Sequence, residues 1–237
     1  MSKYKEIQAL LKTLDKKSQD YLDNYLKGAP EWVYDSFCIA NYPSDYTFIK
    51  QGSTIEVISI LIKGVVKGTD YPVFGVIYDF MWFDSVKAFG ALEYFTKKNQ
   101  FYATLVTASP CTMLLLPISI YQKWMQMDQN AMYIDASSTT NQLIYEVHRE
   151  RVYIFMQGIE RLTYFLILYY KQFAQDGTCV IPLTRQQISD CTGLSIRTIN
   201  RGITSLIEKN YLQKTGNALV IEKEQYHHLK EMLIDIL

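Results

Sequence analysis

Residues 183–212, LTRQQISDCTGLSIRTINRGITSLIEKNYL, constrain this chain more than any other stretch. Thr184 stands three residues before Gln187, the spacing of a capping box, so a helix is expected to start there with Ile188 and Cys191 facing inward. Thr192-Gly193-Leu194 then makes a turn, and Ser195 can cap a second helix running from Ile196 to about Lys209. On it Ile199, Ile203, Leu206 and Ile207 form an apolar stripe, while Arg197, Asn200, Arg201 and Thr204 occupy the rest of the N-terminal half. Two short helices joined by a Gly turn predict a helix-turn-helix whose second helix enters a DNA major groove.

Each residue type has a reason to be there. Arg pairs bidentately with guanine and Asn with adenine, so Arg197, Asn200 and Arg201 are candidate base readers. Thr184, Arg185, Ser195, Thr198 and Thr204 suit phosphate oxygens. Residues 212–214, 215–217 and 218–221 predict a small hairpin, a wing whose tip can bring Lys214 to the DNA backbone. Overall charge gives no support for nucleic acid, since 24 basic residues face 24 acidic ones. The balance is local: from Arg185 to Lys214 there are five basic residues (Arg185, Arg197, Arg201, Lys209, Lys214) against Asp190 and Glu208.

The rest of the chain must hold and pair such a reader. Its 237 residues, 49% hydrophobic, can fill one large core or two modest ones. Four cysteines without a CxxC pair, and no apolar leader, predict reduced thiols in a cytoplasmic protein that has no membrane partner. Residues 4–26 predict two short amphipathic helices with a polar break at 15–18. Between 32 and 116 the texture changes to short β-rich runs at 45–50, 55–62, 65–66, 71–78, 104–106 and 111–116, with turns at Lys63-Gly64 and Gly68 and a short helix within 86–98. That pattern predicts a sandwich or small barrel, within an α+β chain.

No catalytic constellation stands out. The three histidines lie outside the β region, and Asp70, Asp79, Asp84 and Glu93 read as turn or surface carboxylates, so neither an enzyme nor a cofactor or metal site is expected.

Residues 118–127 predict a short packed helix. After capping candidates at 135–138, a long helix is expected from about 138 to 156. Leu143, Ile144, Val147, Arg151, Ile154 and Phe155 give it apolar positions on more than one face, which a twin helix across a homodimer would cover. Gly158 reads as a hinge before a second helix at 159–173, and residues 224–237 as a terminal helix packed on a neighbouring domain.

These blocks resemble the cyclic-AMP receptor protein and FNR family of bacterial transcription regulators. The strongest match is 183–212; YTFIKQGS at 46–53, ILIKGVVKG at 60–68 and LVTASPCTMLLLP at 105–117 match the family's β-roll more weakly. The resemblance implies a cyclic-nucleotide-binding-like jelly roll (a double-stranded β-helix) over 1–134, a dimerisation helix over 135–157 and a winged helix-turn-helix over 158–237. It implies a homodimer on near-palindromic double-stranded DNA, with RNA polymerase as a further partner, and it places the family's reader positions on Ile196, Arg197 and Arg201. Where nucleotide-binding members carry Gly-Glu and then Arg-Ser or Arg-Thr before Ala-Thr, this chain has Gly90-Ala91 and then Phe101-Tyr102 before Ala103-Thr104. A cyclic phosphate would be an unpaired buried charge there, so cyclic nucleotide is not expected. Trp82, Phe83, Phe95, Phe101 and Tyr102 would instead line a pocket for an apolar or aromatic small molecule, with a protein effector or no effector at all as the other options. The alternative reading is an interaction or ligand-sensing module whose winged helix docks a protein.

Overall fold

The computed structural model describes residues 2–70, 78–83 and 86–234. A first compact unit takes in Met1–Asp70 and Phe80–Ile144, and a second takes in Tyr145–Leu237.

The first unit opens with α1 (Lys3–Leu11) and α2 (Lys16–Tyr25). The expected polar break works as a cap: Asp15 accepts the Ser18 amide at 3.0 Å. A short α3 (Glu31–Ser36) follows, started by Pro30, whose fixed φ suits a helix entry.

Eight strands come next: β1 (Cys38–Tyr42), β2 (Thr47–Ile49), β3 (Val57–Lys63), β4 (Val66–Asp70), β5 (Tyr78–Phe83), β6 (Lys87–Phe89), β7 (Thr104–Thr107) and β8 (Cys111–Pro117). They form two four-stranded sheets, ordered β1-β8-β3-β6 and β2-β7-β4-β5, the eight-strand, two-sheet arrangement of a jelly roll. Three expectations need correcting. Gly68 makes no turn but pairs with Leu105 inside β4. β1 went unread and lies along β8, Ala40 opposite Met113. The stretch 86–98 is split by Gly90, whose φ of 100° ends β6 and leaves α4 only Ala91–Phe95. Of the strand expected at 71–78, all but Tyr78 lies outside the described residues.

Helices α5 (Ile118–Met127) and α6 (Gln129–Phe155) follow β8. α6 begins well before the expected 138 because Asp128 is its cap, accepting the Ala131 amide at 3.0 Å and the Trp124 indole N–H at 3.0 Å. At 27 residues it spans about 40 Å at 1.5 Å per residue.

Asp135, read from the sequence as a capping candidate, sits inside that helix with 4% of its surface exposed. Its Oδ2 accepts the hydroxyls of Tyr25 at 2.6 Å and Tyr121 at 2.7 Å, tying α2 and α5 to α6. Burial raises its pKa to about 6 against the hydrogen bonds that lower it. Lys87 on β6 donates to the Ser138 carbonyl at 3.3 Å, and burial lowers its pKa to about 8 while Asp135 pulls it back up. Glu93, read as a turn or surface carboxylate, is likewise buried, and its Oε1 accepts the Tyr102 amide at 3.1 Å. Asp84 and the side chains of Asp70 and Asp79 lie outside the described residues.

The second unit holds the end of α6, then α7 (Gly158–Phe173), β9 (Thr178–Ile181), α8 (Arg185–Thr192), α9 (Ile196–Glu208), β10 (Gln213–Thr215), β11 (Ala218–Glu222) and α10 (Lys223–Glu231). β11 is the centre of a three-stranded sheet ordered β10-β11-β9. Thr215 pairs with Ala218 across the two-residue turn Gly216-Asn217, and Gly216 takes the positive φ of 60° that such turns need. The terminal helix, expected to pack on a neighbouring domain, packs on α7 and β11 of its own unit: Tyr226 stacks on Tyr170 at 4.2 Å between ring centres. Among the described residues no helix is long and apolar enough to cross a membrane.

Candidate nucleic-acid interface

α8 and α9 form the expected helix-turn-helix, and hydroxyl groups hold each corner. Thr184 Oγ1 accepts the Gln187 amide at 3.2 Å while Gln187 Oε1 accepts the Thr184 amide at 2.8 Å, the reciprocal capping box. Gly193 ends α8 at φ 65°, and Ser189 closes the turn by donating to the Leu194 carbonyl at 2.6 Å. Ser195 Oγ then accepts the Thr198 amide at 3.2 Å and starts α9.

α9 is sorted by side. Ile199, Gly202, Ile203 and Leu206 are buried toward α7 and α8, and Ile207 is half-buried. Two glycines let α9 come close to α7. A Cβ on Gly202 would stand 2.6 Å from Leu162 Cδ2 and 3.2 Å from Ile159 Cδ1, and one on Gly158 would stand 2.9 Å from Thr198 Cγ2. Gly158, read from the sequence as a hinge, thus has a packing reason: it is the first residue of α7, after the interruption at Met156 and Gln157.

The opposite face of α9 presents Ile196, Arg197, Asn200, Arg201 and Thr204, all exposed. Ile196, Asn200 and Thr204 lie at i, i+4, i+8, and Arg197 with Arg201 form the adjacent row. Between the start of α8 and the wing, a surface hollow of about 350 Å³ is lined by Pro182, Leu183, Thr184, Arg185, Lys214 and Asn217. It brings three of the six proposed backbone contacts together at the start of α8, where free amides and the helix dipole favour an anion. Ser195 is exposed, while Thr198 is half-buried with its hydroxyl 2.9 Å from Ser195 Oγ. Among the described residues no carboxylate is paired with Arg185, Arg197, Arg201 or Lys214, whereas Lys3–Glu6 and Lys16–Asp20 pair in the N-terminal helices.

The other proposed positions are scattered more widely. Leu143, Ile144, Val147, Arg151 and Phe155 are all exposed on α6, Phe155 at 83%, while the side chain of Ile154 lies outside the described residues. Of the aromatic set in the β sandwich, Phe101 is buried in the core and Tyr102 is 47% exposed. Phe83 packs edge-on to Phe89 and Phe95 edge-on to Tyr94. Sequence reasoning missed the buried acids Asp135 and Glu93, because nothing in residue type separates a buried carboxyl from a surface one.

Comparison with known proteins agrees with this geometry. The family model for the Crp-like helix-turn-helix domain matches residues 160–231. No curated protein is significantly similar in sequence. Among solved structures, the c-di-GMP responsive global regulator CLP of Xanthomonas campestris is similar with a TM-score of 0.70 at 15% identity, over 86% of this chain and 98% of that one. A putative transcriptional regulator of the Crp/Fnr family from Eubacterium rectale also gives 0.70, at 12% identity over 94% and 97% of the two chains. FixK2 of Bradyrhizobium japonicum gives 0.66 at 18% identity, over 81% and 96%. Residues 160–231 thus match a Crp-like helix-turn-helix domain, in a chain whose fold is similar to that of solved Crp/Fnr regulators.

Proposed function

We propose that the protein is a homodimeric, sequence-specific DNA-binding transcription regulator that acts on near-palindromic operators and is not controlled by cyclic nucleotide. The observation that carries this reading is the exposed face of α9, with Arg197, Asn200 and Arg201 and no carboxylate partner for either arginine among the described residues, together with a hollow in the same unit that gathers Thr184, Arg185 and Lys214. Arg197, Asn200 and Arg201 take base edges with Ile196; Thr184, Arg185, Ser195, Thr198, Thr204 and Lys214 take the backbone.

In this reading residues 1–134 are the sensor, 135–157 the dimerisation helix and 158–237 the DNA-binding domain, with RNA polymerase as a further partner. The exposed Leu143, Ile144, Val147 and Phe155 support the dimer, since a helix bearing such residues is covered best by its twin. Two recognition helices about 34 Å apart then meet successive major grooves. Independence from cyclic nucleotide is supported by Phe101, packed 3.5 Å from the position of a Gly90 Cβ, and by the Glu93 carboxyl on the Tyr102 amide. An incoming phosphate would meet a ring and an acid there, with no arginine to pair it.

Selection of bound duplexes from a random pool, with and without cell extract, tests the reading directly. The expected result is a twofold-symmetric site whose affinity falls steeply with salt. Arg201→Ala is then expected to lose about 1–3 kcal/mol of discrimination against random DNA. Equal binding of operator and random duplexes by wild type and variant would remove Arg201 from the reading face. Val147→Glu is expected to yield a monomer by light scattering and to weaken operator binding by about 100-fold, through loss of the second half-site. A dimer retained in that variant would place the interface elsewhere.

A further inference from the structure

We propose that Ile196 is a thymine reader, seating the 5-methyl group of one thymine in each half-site; the inference rests on the DNA-reading function above and names the base that its first residue selects. Ile196 is the first residue of α9 and is 42% exposed, whereas Ile199 and Ile203 on the same helix are 0% and 3% exposed. Burial within its own domain therefore does not account for it. The other exposed large apolar residues of the second unit lie on other segments: Tyr145, Val147 and Phe155 on α6, Val180 on β9, and Ile234 near the C-terminus. Ile196 stands among polar neighbours on α9, with Asn200 one turn along its own row and Arg197 and Arg201 on the next.

A base-reading surface gives such a residue a specific task. Every hydrogen-bonding group in the major groove has a polar complement, and the one apolar feature there is the C5-methyl of thymine. The position is also preorganised. Ser195 caps the turn through the Thr198 amide at 3.2 Å, and a β-branched side chain in a helix keeps one dominant χ1 rotamer, so little freedom is lost on contact. Arg197, Asn200 and Arg201 would discriminate by hydrogen bonds, and Ile196 by shape and desolvation, adding a preference for the thymine methyl to the acceptor-against-donor difference that polar groups read.

The experiment uses the full-length protein and the duplex obtained by random-pool selection, with each thymine replaced in turn by deoxyuridine, which lacks only the methyl. Burial of one methyl group predicts a loss of about fourfold in affinity at one position per half-site. Ile196→Ala, checked for an unchanged thermal midpoint, is expected to bind thymine and uracil duplexes equally at that position. If wild type tolerates uracil at every thymine, or if Ile196→Ala keeps the same loss, Ile196 does not read the methyl. The unmodified duplex separates that failure from a deeper one: if it too shows no salt-sensitive, sequence-specific binding, the DNA-reading assignment falls and takes this inference with it.

Discussion

Asp135→Ala is expected to lower the thermal midpoint of the N-terminal unit by about 10 °C. The substitution removes the shared acceptor of Tyr25 and Tyr121, leaving two buried hydroxyls that donated to it at 2.6 and 2.7 Å. An orphaned buried donor costs about 1–3 kcal/mol, and the vacated space adds to that. A loss of about 3 kcal/mol in a chain of this size corresponds to roughly 10 °C. Differential scanning calorimetry, which resolves the two units if they unfold separately, provides the measurement. An unchanged midpoint would mean that α2, α5 and α6 are held together without this carboxyl.

The same group sets a dependence on pH. Its pKa is raised from 3.8 to about 6 in the folded protein because burial disfavours the carboxylate. The folded state therefore holds the proton more tightly than the unfolded chain does. Asp135 contributes most stability below about pH 4, and that contribution is lost as pH rises through 6, on the order of 3 kcal/mol across the window. Lys87 works at the other end: its pKa is lowered to about 8, so its contribution grows as pH rises from about 8 toward the free lysine value of 10.5. Asp135→Asn should flatten the acid-side slope and, by removing the charge that holds the Lys87 pKa up, start the alkaline rise at lower pH. A slope between pH 4 and 6 that survives Asp135→Asn would assign it to another group.

The second large effect is expected at Gly202. Gly202→Val places a branched side chain where even a Cβ would lie 2.6 Å from the Cδ2 of the buried Leu162, so the packed Leu162 side chain must turn aside or α9 must shift from α7. Overpacking of this kind costs about 1–3 kcal/mol, and the gain in helix propensity over glycine offsets less than about 1 kcal/mol of it. The functional loss should exceed the loss in stability, because the perturbed helix carries the proposed reading face. Operator affinity should fall toward the random-DNA level, while the N-terminal unit keeps its thermal midpoint. If Gly202→Val binds operator as wild type does, the α7–α9 contact does not position the reader.

How legible the molecule was depended on the kind of signal. The helix-turn-helix could be read almost residue by residue, because Thr184, Gln187, Gly193 and Ser195 act locally and make in the structure the bonds that their spacing implies. The hairpin turn at Gly216 was legible for the same reason. Asp135 was not: a cluster of Asp and Ser looks like a helix start, and the choice was made by Asp128, where capping and the Trp124 contact coincide. β1 carries neither strict alternation nor turn punctuation and exists because β8 offers it an edge. The α7–α9 crossing was hidden because a glycine in a helix advertises flexibility, whereas Gly158 and Gly202 make room for a neighbour. The proposed aromatic pocket was inferred from composition, and the rings of Phe83, Phe95 and Phe101 pack individually against neighbours or in the core.

The internal caps at Thr184 and Ser195 have a kinetic consequence. Both hydroxyls already accept amides of their own helices, so α8 and α9 are finished before any DNA arrives. In the proposed DNA-reading function, encounter is expected to be the docking of two rigid surfaces, with no folding step to slow it, at a rate set by diffusion and by the field of the exposed arginines. The heat-capacity change on binding should accordingly match the interface area alone, without the excess that marks a segment folding onto its target.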